Sequence, residues 1–438
     1  MTRYFLKLRS SVLSGGLSEG IAWTIGSFFV LAISGVLINL IVAWTRDAAS
    51  LGIFNLAYAV YIVSSQVAAF GVNYSVLRHA AYYSSDPETR GAMAGTALLL
   101  SVLQGGIAFA GVYFLSPLLG ELFSSEETGK AIRWASFGLI VFPLNKILVA
   151  YINGLRRMRA FAILQASRYL LVMAFVAGVS ISNLPFYYST LAFAAAELAT
   201  ASGALIYLAV AGELRLFRSC FSWIKSHLSF GGKSLLSGMF VEMNSRLDVL
   251  LLGVLVDERL VGIYSFGAML VDGLYHVLAM VRINFNPILV EVVRDKKWEL
   301  GRSLLSKSRR YAYGVTLILA LLVFAVFLVL AYWIVPDRGL QEGIGALVIL
   351  LVGLTLISAY VPLDNLLLVS GHPAYQTFQN MAVAGGNVLV NLWLVPIIGI
   401  EGAALGTVAG YVMGMLFLFF LSRRMIGWDL LANRVRCK

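Results

Sequence analysis

Long apolar runs limit what this chain can become. Segments of about 20 to 27 mostly apolar residues alternate with short polar breaks, the length a helix needs to cross a hydrocarbon core of about 30 Å. The spans read as roughly Gly20 to Trp44, Gly52 to Leu77, Gly91 to Leu115, Ala131 to Asn153, Ala160 to Ser180 and Tyr187 to Val210. A second set follows at Ser229 to Leu255, Val261 to Ile283, Tyr311 to Ile334, Gly343 to Ser370, Tyr375 to Val395 and Gly402 to Leu421. The strict alternation of an outer-membrane strand is missing, so helices are expected. The expected fold class is an all-α integral membrane protein of about twelve transmembrane helices, in two pseudo-symmetric six-helix lobes around a central cavity. The first run is too long for a signal-peptide core and is expected to stay as a helix.

Charge placement sets the topology. The chain carries 33 Lys and Arg against 22 Asp and Glu, a basic excess that elsewhere would suggest nucleic acid. Here the cations collect in alternate connections: Arg78 and Arg90, then Arg156, Arg157 and Arg159, then Arg215, Arg218 and Lys225, then the loop from Arg294 to Arg310. The intervening turns are poor in cations and often acidic, as at Glu126 and Glu127 or Asp257 and Glu258. By the positive-inside rule both termini are cytoplasmic, in a multi-pass protein of the cytoplasmic membrane, and no nucleic-acid partner is implied. Cys220 and Cys437 offer no disulfide framework.

The chain repeats itself. Arg46-Asp47-Ala48-Ala49-Ser50-Leu51-Gly52-Ile53-Phe54 aligns without a gap on the stretch that ends in Val261-Gly262-Ile263-Tyr264, with Asp47 on Asp257 and Gly52 on Gly262. Pro143-Leu144-Asn145 recurs as Pro362-Leu363-Asp364. Six spans restore the starting side, so the repeat is a parallel one about an axis along the membrane normal. The expected division is a first lobe over 1–212, a linker over 213–228, a second lobe over 229–422 and a basic tail over 423–438. Gly402, Gly406, Gly410 and Gly414 lie on one helix face and predict close packing against another helix.

Soluble-enzyme chemistry finds no place. Gly231-Gly232-Lys233-Ser234 looks like the end of a phosphate-binding loop, but His227 stands where the first glycine is required, so ATP is not expected as the energy source. The four histidines lack metal-ligand spacing. No cofactor is expected beyond a coupling ion, Na+ or H+.

The informative residues are ionisable groups inside spans, each costing about 2.5–3.5 kcal/mol at the centre of a bilayer unless it faces protein or water. Glu242 and Arg246 stand four apart and are expected to pair; Asp248, about 160° round the helix from Arg246, needs another partner. Asp272, Tyr275, His276 and Arg282 share one stripe of the eighth span. The first half adds Lys146, Arg168 and Glu197, and the eleventh span adds Gln376, Asn380, Asn387 and Asn391. Any one of these could be an interhelical bond. As a set spread over both halves, they predict a hydrated central cavity.

The whole chain resembles the polysaccharide and lipid-linked oligosaccharide flippases of the multidrug/oligosaccharidyl-lipid/polysaccharide exporter superfamily. The resemblance rests on Ala48 to Ala57, Phe70 to Tyr82, Asn153 to Ala162, Ser229 to Ala268 and Gly386 to Gly410. It implies a two-lobed bundle alternating between inward and outward openings, and a polyprenyl or dolichyl (pyro)phosphate-linked oligosaccharide as substrate, moved to the outer leaflet for surface polysaccharide or glycan biosynthesis. Membrane lipids and glycan-assembly enzymes are the implied partners, and a monomer the implied state. The related lipid II flippases usually carry two extra spans. On this reading Arg246, Arg282, Lys146 and Arg168 present cations to the phosphate. Glu242, Asp248 and Asp272 are candidate ion-coupling groups, while His276, Tyr275, Asn387, Asn391 and Glu197 add polarity to the cavity. A multidrug or cation antiporter of the same fold is the alternative. A membrane-embedded polymerase or transferase is a further one, but would need a large external loop that the sequence lacks.

Overall fold

A computed structural model describes residues 15–216, 218, 221–244, 246–335 and 339–435. Cys220, Cys437 and the side chains of Lys233 and Glu242 lie outside the described residues. Helices α1 (Gly15–Thr45), α2 (Ala48–Ala69), α3 (Val72–Tyr82), α4 (Pro87–Leu122), α5 (Glu126–Ala135), α6 (Phe137–Gly154), α7 (Met158–Ile181) and α8 (Leu191–Val210) make up the first half. The second has α9 (Ser222–Asn244), α10 (Leu247–Leu255), α11 (Glu258–Arg294), α12 (Trp298–Val329), α13 (Ile344–Ile357), α14 (Leu366–Val369), α15 (Pro373–Ile398) and α16 (Ile400–Leu421). Among the described residues eleven helical segments are long and apolar enough to cross a membrane. The chain is an all-α, multi-pass membrane protein.

Among the described residues four expected spans are interrupted: the second between α2 and α3, where Phe70 and Gly71 take positive φ, the fourth at Ser136 between α5 and α6, and the seventh and tenth as follows. The seventh divides into α9 and α10, with Arg246 capping α10 at φ −125° and ψ −3°. That break removes the continuous helix on which Glu242 and Arg246 would have stacked and on which Asp248 was placed opposite. In the tenth, α13 stops at Ile357, a 3-10 turn spans Val361–Leu363, and α14 resumes at Leu366. Pro362 accounts for it, because it lacks the N–H that a helix interior needs and its ring clashes with the preceding turn. Its counterpart Pro143 is accommodated inside α6.

The chain forms two compact units: the chain up to Thr45 with Ala57–Met239, and Arg46–Leu56 with the chain from Phe240 onward. Residues 46–56, placed in the first lobe by sequence order, thus group with the second unit. In the first unit α1 lies along α7, and α6 packs against α3, α4 and α8, around Val72, Met93, Tyr151 and Leu208. The expected linker is tied into this unit. Glu213 is buried between Arg90 and Arg157, at 2.9 Å from each, and accepts from the Tyr151 hydroxyl at 2.8 Å. His227, at the start of α9, accepts at Nδ1 from the Ser75 hydroxyl at 2.9 Å and donates from Nε2 to the Met93 carbonyl at 3.2 Å.

In the second unit α16 packs along α15 and against α13. The glycine stripe makes this contact: a Cβ on Gly402 would meet the Leu394 backbone at 2.6 Å, and one on Gly410 the Val383 carbonyl oxygen at 2.8 Å. The tail is a docked structure up to residue 435. Trp428–Asp429 pairs antiparallel with Arg434–Val435, Trp428 is buried, and Arg309 of α12 donates to the Leu431 carbonyl at 2.8 Å.

The repeat is visible at atomic detail at the starts of α2 and α11. Asp47 accepts from the Ser50 amide at 2.7 Å and Asp257 from the Leu260 amide at 2.8 Å, the same helix cap in both copies.

Candidate functional site: two buried polar hubs

The first unit holds one hub. Glu197 of α8 is 1% exposed. Its carboxylate takes Arg168 of α7 at 2.6 Å, the amide of Asn145 of α6, and the Tyr61 hydroxyl of α2 at 3.3 Å. Asn145 also donates to Thr200 at 2.8 Å. Aromatic rings close the hub: Tyr61 stacks on Phe193 at 4.6 Å, and both Arg168 and Lys146 sit over Phe142, at 5.6 and 5.2 Å. Four helices are thereby joined through one carboxylate. Arg168 and Glu197 neutralise each other, so Arg168, expected as a substrate cation, is engaged by protein.

The second unit holds the other, more open hub on the expected stripe of α11. Arg282 Nη1 donates to Asp364 at 2.9 Å and to the Tyr275 hydroxyl at 3.4 Å. Asp364 also accepts from Gln379 of α15 at 2.7 Å. Nε and Nη2 of Arg282 have no hydrogen-bond partner among the described residues, and its side chain keeps 23% of its accessible surface. Tyr275 stacks parallel on Tyr411 of α16 at 6.1 Å. One turn before it, Asp272 is half-buried with no side-chain hydrogen bond among the described residues, and His276 is exposed with Nδ1 donating to the Asp272 carbonyl at 2.7 Å.

Asp248 is buried and finds the separate partners its position required: the Tyr264 hydroxyl of α11 at 2.5 Å and the Thr407 hydroxyl of α16 at 3.3 Å. Arg246, at the head of α10, is near enough for its charge to act on both Asp248 and Asp272. Asn387 and Asn391 do not line open space. Both are buried, and Asn391 donates to the Asn387 side chain at 2.9 Å on the face that meets Gly406 and Gly410. Small residues on α16 let these amides settle into the helix contact, a more stable place than hydrocarbon.

Several members of the hubs are not among the site residues expected from the sequence. Asn145 and Asp364 are the aligned third residues of the Pro-Leu-Asn and Pro-Leu-Asp echo, and each is a member of its hub. That echo was the available signal. Thr200 and Thr407 had none, since a Thr hydroxyl in a span can bond the carbonyl four residues back in its own helix, as both do; the Tyr61 and Tyr264 phenols read as ordinary apolar-face aromatics.

Helical packing of this kind is the fold of the MOP transporters. A lipid II flippase, MurJ, in an inward closed conformation superposes with a TM-score of 0.75 at 14% identity, covering 94% of this chain and 90% of its own. An inward-facing MATE multidrug transporter of the MOP superfamily gives 0.67 at 15% identity, over 91% of this chain and 94% of its own. A MOP transporter from Pyrococcus furiosus, whose binding pocket is described as of reverse polarity, gives 0.55 at 15% identity, over 94% and 95%. The chain belongs to the polysaccharide biosynthesis protein family, whose model matches residues 17–291. Comparison with curated protein sequences gives no match.

Proposed function

We propose that the protein flips a polyprenyl or dolichyl (pyro)phosphate-linked oligosaccharide across the cytoplasmic membrane by alternating access, with both termini cytoplasmic. Arg282 carries the reading. It is a guanidinium inside a span, held by Asp364 and Tyr275 through one nitrogen, with its remaining donors open to a phosphate oxygen. Desolvating a phosphate requires such charge-assisted donors. Arg246 supplies a second cation near the same stripe, and Lys146 a third in the first unit, whereas Arg168 acts by holding Glu197. Membership of the polysaccharide biosynthesis family supports the glycan.

Asp272 supports coupling to H+ or Na+, because a half-buried carboxylate without a hydrogen-bond partner among the described residues can exchange either ion. The same carboxylate favours the second reading, an antiporter of cationic compounds on this fold. Proteoliposomes with a fluorescent lipid-linked sugar separate the two. Arg282→Ala and Arg246→Ala should insert normally and abolish flipping. Full activity in both, or export of a cationic dye without glycolipid movement, would overturn the flippase assignment.

A further inference from the structure

A recess of about 260 Å³ opens at the arginine-rich end of the first unit, lined by none of the residues of that unit's hub. Its walls come from four places: Glu19 and Trp23 of α1, Arg156 and Arg157 of the turn between α6 and α7, the first turn of α7 from Met158 to Ala160, and Tyr207 of α8. Arg157 is fixed by Glu213 at 2.9 Å, with its guanidinium 5.7 Å above the Tyr207 ring. Arg159 lies 5.2 Å over the Trp23 indole. The guanidinium groups of Arg156 and Arg159 are exposed and make no ion pair or hydrogen bond among the described residues. Glu19 accepts from the Trp23 indole N–H at 3.4 Å and is the single carboxylate lining the recess among the described residues.

The electrostatics favour an anion. Counting Glu213, which fixes Arg157, and Arg90, which shares that carboxylate, four guanidinia (Arg90, Arg156, Arg157, Arg159) stand against two carboxylates (Glu19, Glu213). No side chain caps α7, so the amides of its first turn add their partial positive charge to the same opening. Topology alone does not require this arrangement. Past the corresponding turn of the second half, from Gly371, the chain reads His372-Pro373-Ala374-Tyr375, without a guanidinium.

The surroundings point to a lipid. Beyond the recess the same helices present exposed apolar side chains: Phe28 and Phe29 of α1, Ile163 of α7 and Ile206 of α8. An indole and a phenol at the junction of a basic rim with apolar helix faces mark a membrane interface. We propose that this recess is a binding site for the phosphate ester of an anionic membrane lipid, with Arg156 and Arg159 contacting the phosphate, Arg157 and Tyr207 forming its floor and the acyl chains lying along α1 and α7. The inference rests on the chain being a membrane protein and not on what it transports.

The test uses the full-length protein in nanodiscs and detergent, with native mass spectrometry to read retained lipid. Phosphatidylglycerol should be retained and phosphatidylcholine lost. Arg156→Gln/Arg159→Gln should weaken phosphatidylglycerol retention about thirty-fold, as expected for removing two cations at a membrane surface, whereas Arg156→Lys/Arg159→Lys should keep most of it and controls for folding. Unchanged retention in the glutamine variant overturns the site. Competition by inorganic phosphate at the lipid's own affinity overturns the lipid assignment, and one-for-one displacement by undecaprenyl phosphate overturns a resident phospholipid in favour of the transported class.

Discussion

Gly52 and Gly262, equivalent positions of the internal repeat, cross at backbone contact. A Cβ on Gly52 would overlap the Glu258 carbonyl oxygen. One on Gly262 would overlap the Ala48 carbonyl oxygen and stand 2.8 Å from the Gly52 nitrogen. Residues 48 and 52 correspond to 258 and 262, so the contact is its own image under the repeat, as an isologous interface is. Side chains cannot make way here, because both obstacles are main chain.

Gly262→Ala should therefore destabilise the protein by at least the about 1–3 kcal/mol typical of overpacking. Gly106, whose added Cβ would meet nothing within 4 Å, is the matched control. A melting curve in detergent for Gly262→Ala that coincides with that of Gly106→Ala would show that the crossing is looser than described.

The first-unit hub predicts strong non-additivity. Glu197→Gln leaves Arg168 charged in a closed site, and Arg168→Leu leaves Glu197 so. Each single change should cost about 3–5 kcal/mol, with the double variant costing clearly less than their sum. Additive losses would mean that the two groups do not compensate each other.

If Arg282 holds the substrate phosphate as proposed, Asp364, its partner at 2.9 Å, competes with substrate for it. Asp364→Asn should bind lipid-linked phosphate several-fold more tightly and flip it more slowly, because release then loses its internal counter-ion. Faster turnover with unchanged binding would count against Arg282 as the phosphate contact. The measurement pairs equilibrium binding with initial flipping rates.

Burial pushes the His227 imidazole down from 6.5 to about 4, opposed by its bond to the Met93 carbonyl and aided by nearby His79. The folded site therefore binds fewer protons than the unfolded chain. Its contribution is complete above about pH 6.5 and is lost progressively as the pH falls towards 4. Hydrogen exchange over residues 222–230, corrected for intrinsic rate, should show weaker protection at pH 5 than at pH 7.5. His227→Gln should remove most of that difference. Equal protection of the wild-type segment at both values would refute the linkage.

Much of this architecture is legible in the chain because hydrocarbon allows few alternatives. Span lengths, the repeat and the glycine face of α16 follow from apolar run length and from side-chain size at fixed spacing. The broken tenth span was signalled by Pro362. What pairs with what across helices was not legible: Arg168 could equally have faced open space, and only the approach of α8 to α7 places Glu197 2.6 Å away. Asn387 and Asn391 show the same limit from the other side. A polar stripe looks alike whether it lines water or packs into glycines, and the partner helix decides.

The docked tail bears on biogenesis. Arg309 near the start of α12 bonds the carbonyl of Leu431, 122 residues later, and Trp428 and Leu430 complete a core begun by Leu289 and Leu305. At about 5–20 residues per second, the early side of that core waits on the order of ten seconds for its last pieces. Helices of the second unit are thus threaded into the bilayer well before they can be sealed, and a ribosome that stalls past α16 would leave the nascent chain inserted and unlatched, open to membrane quality-control proteases.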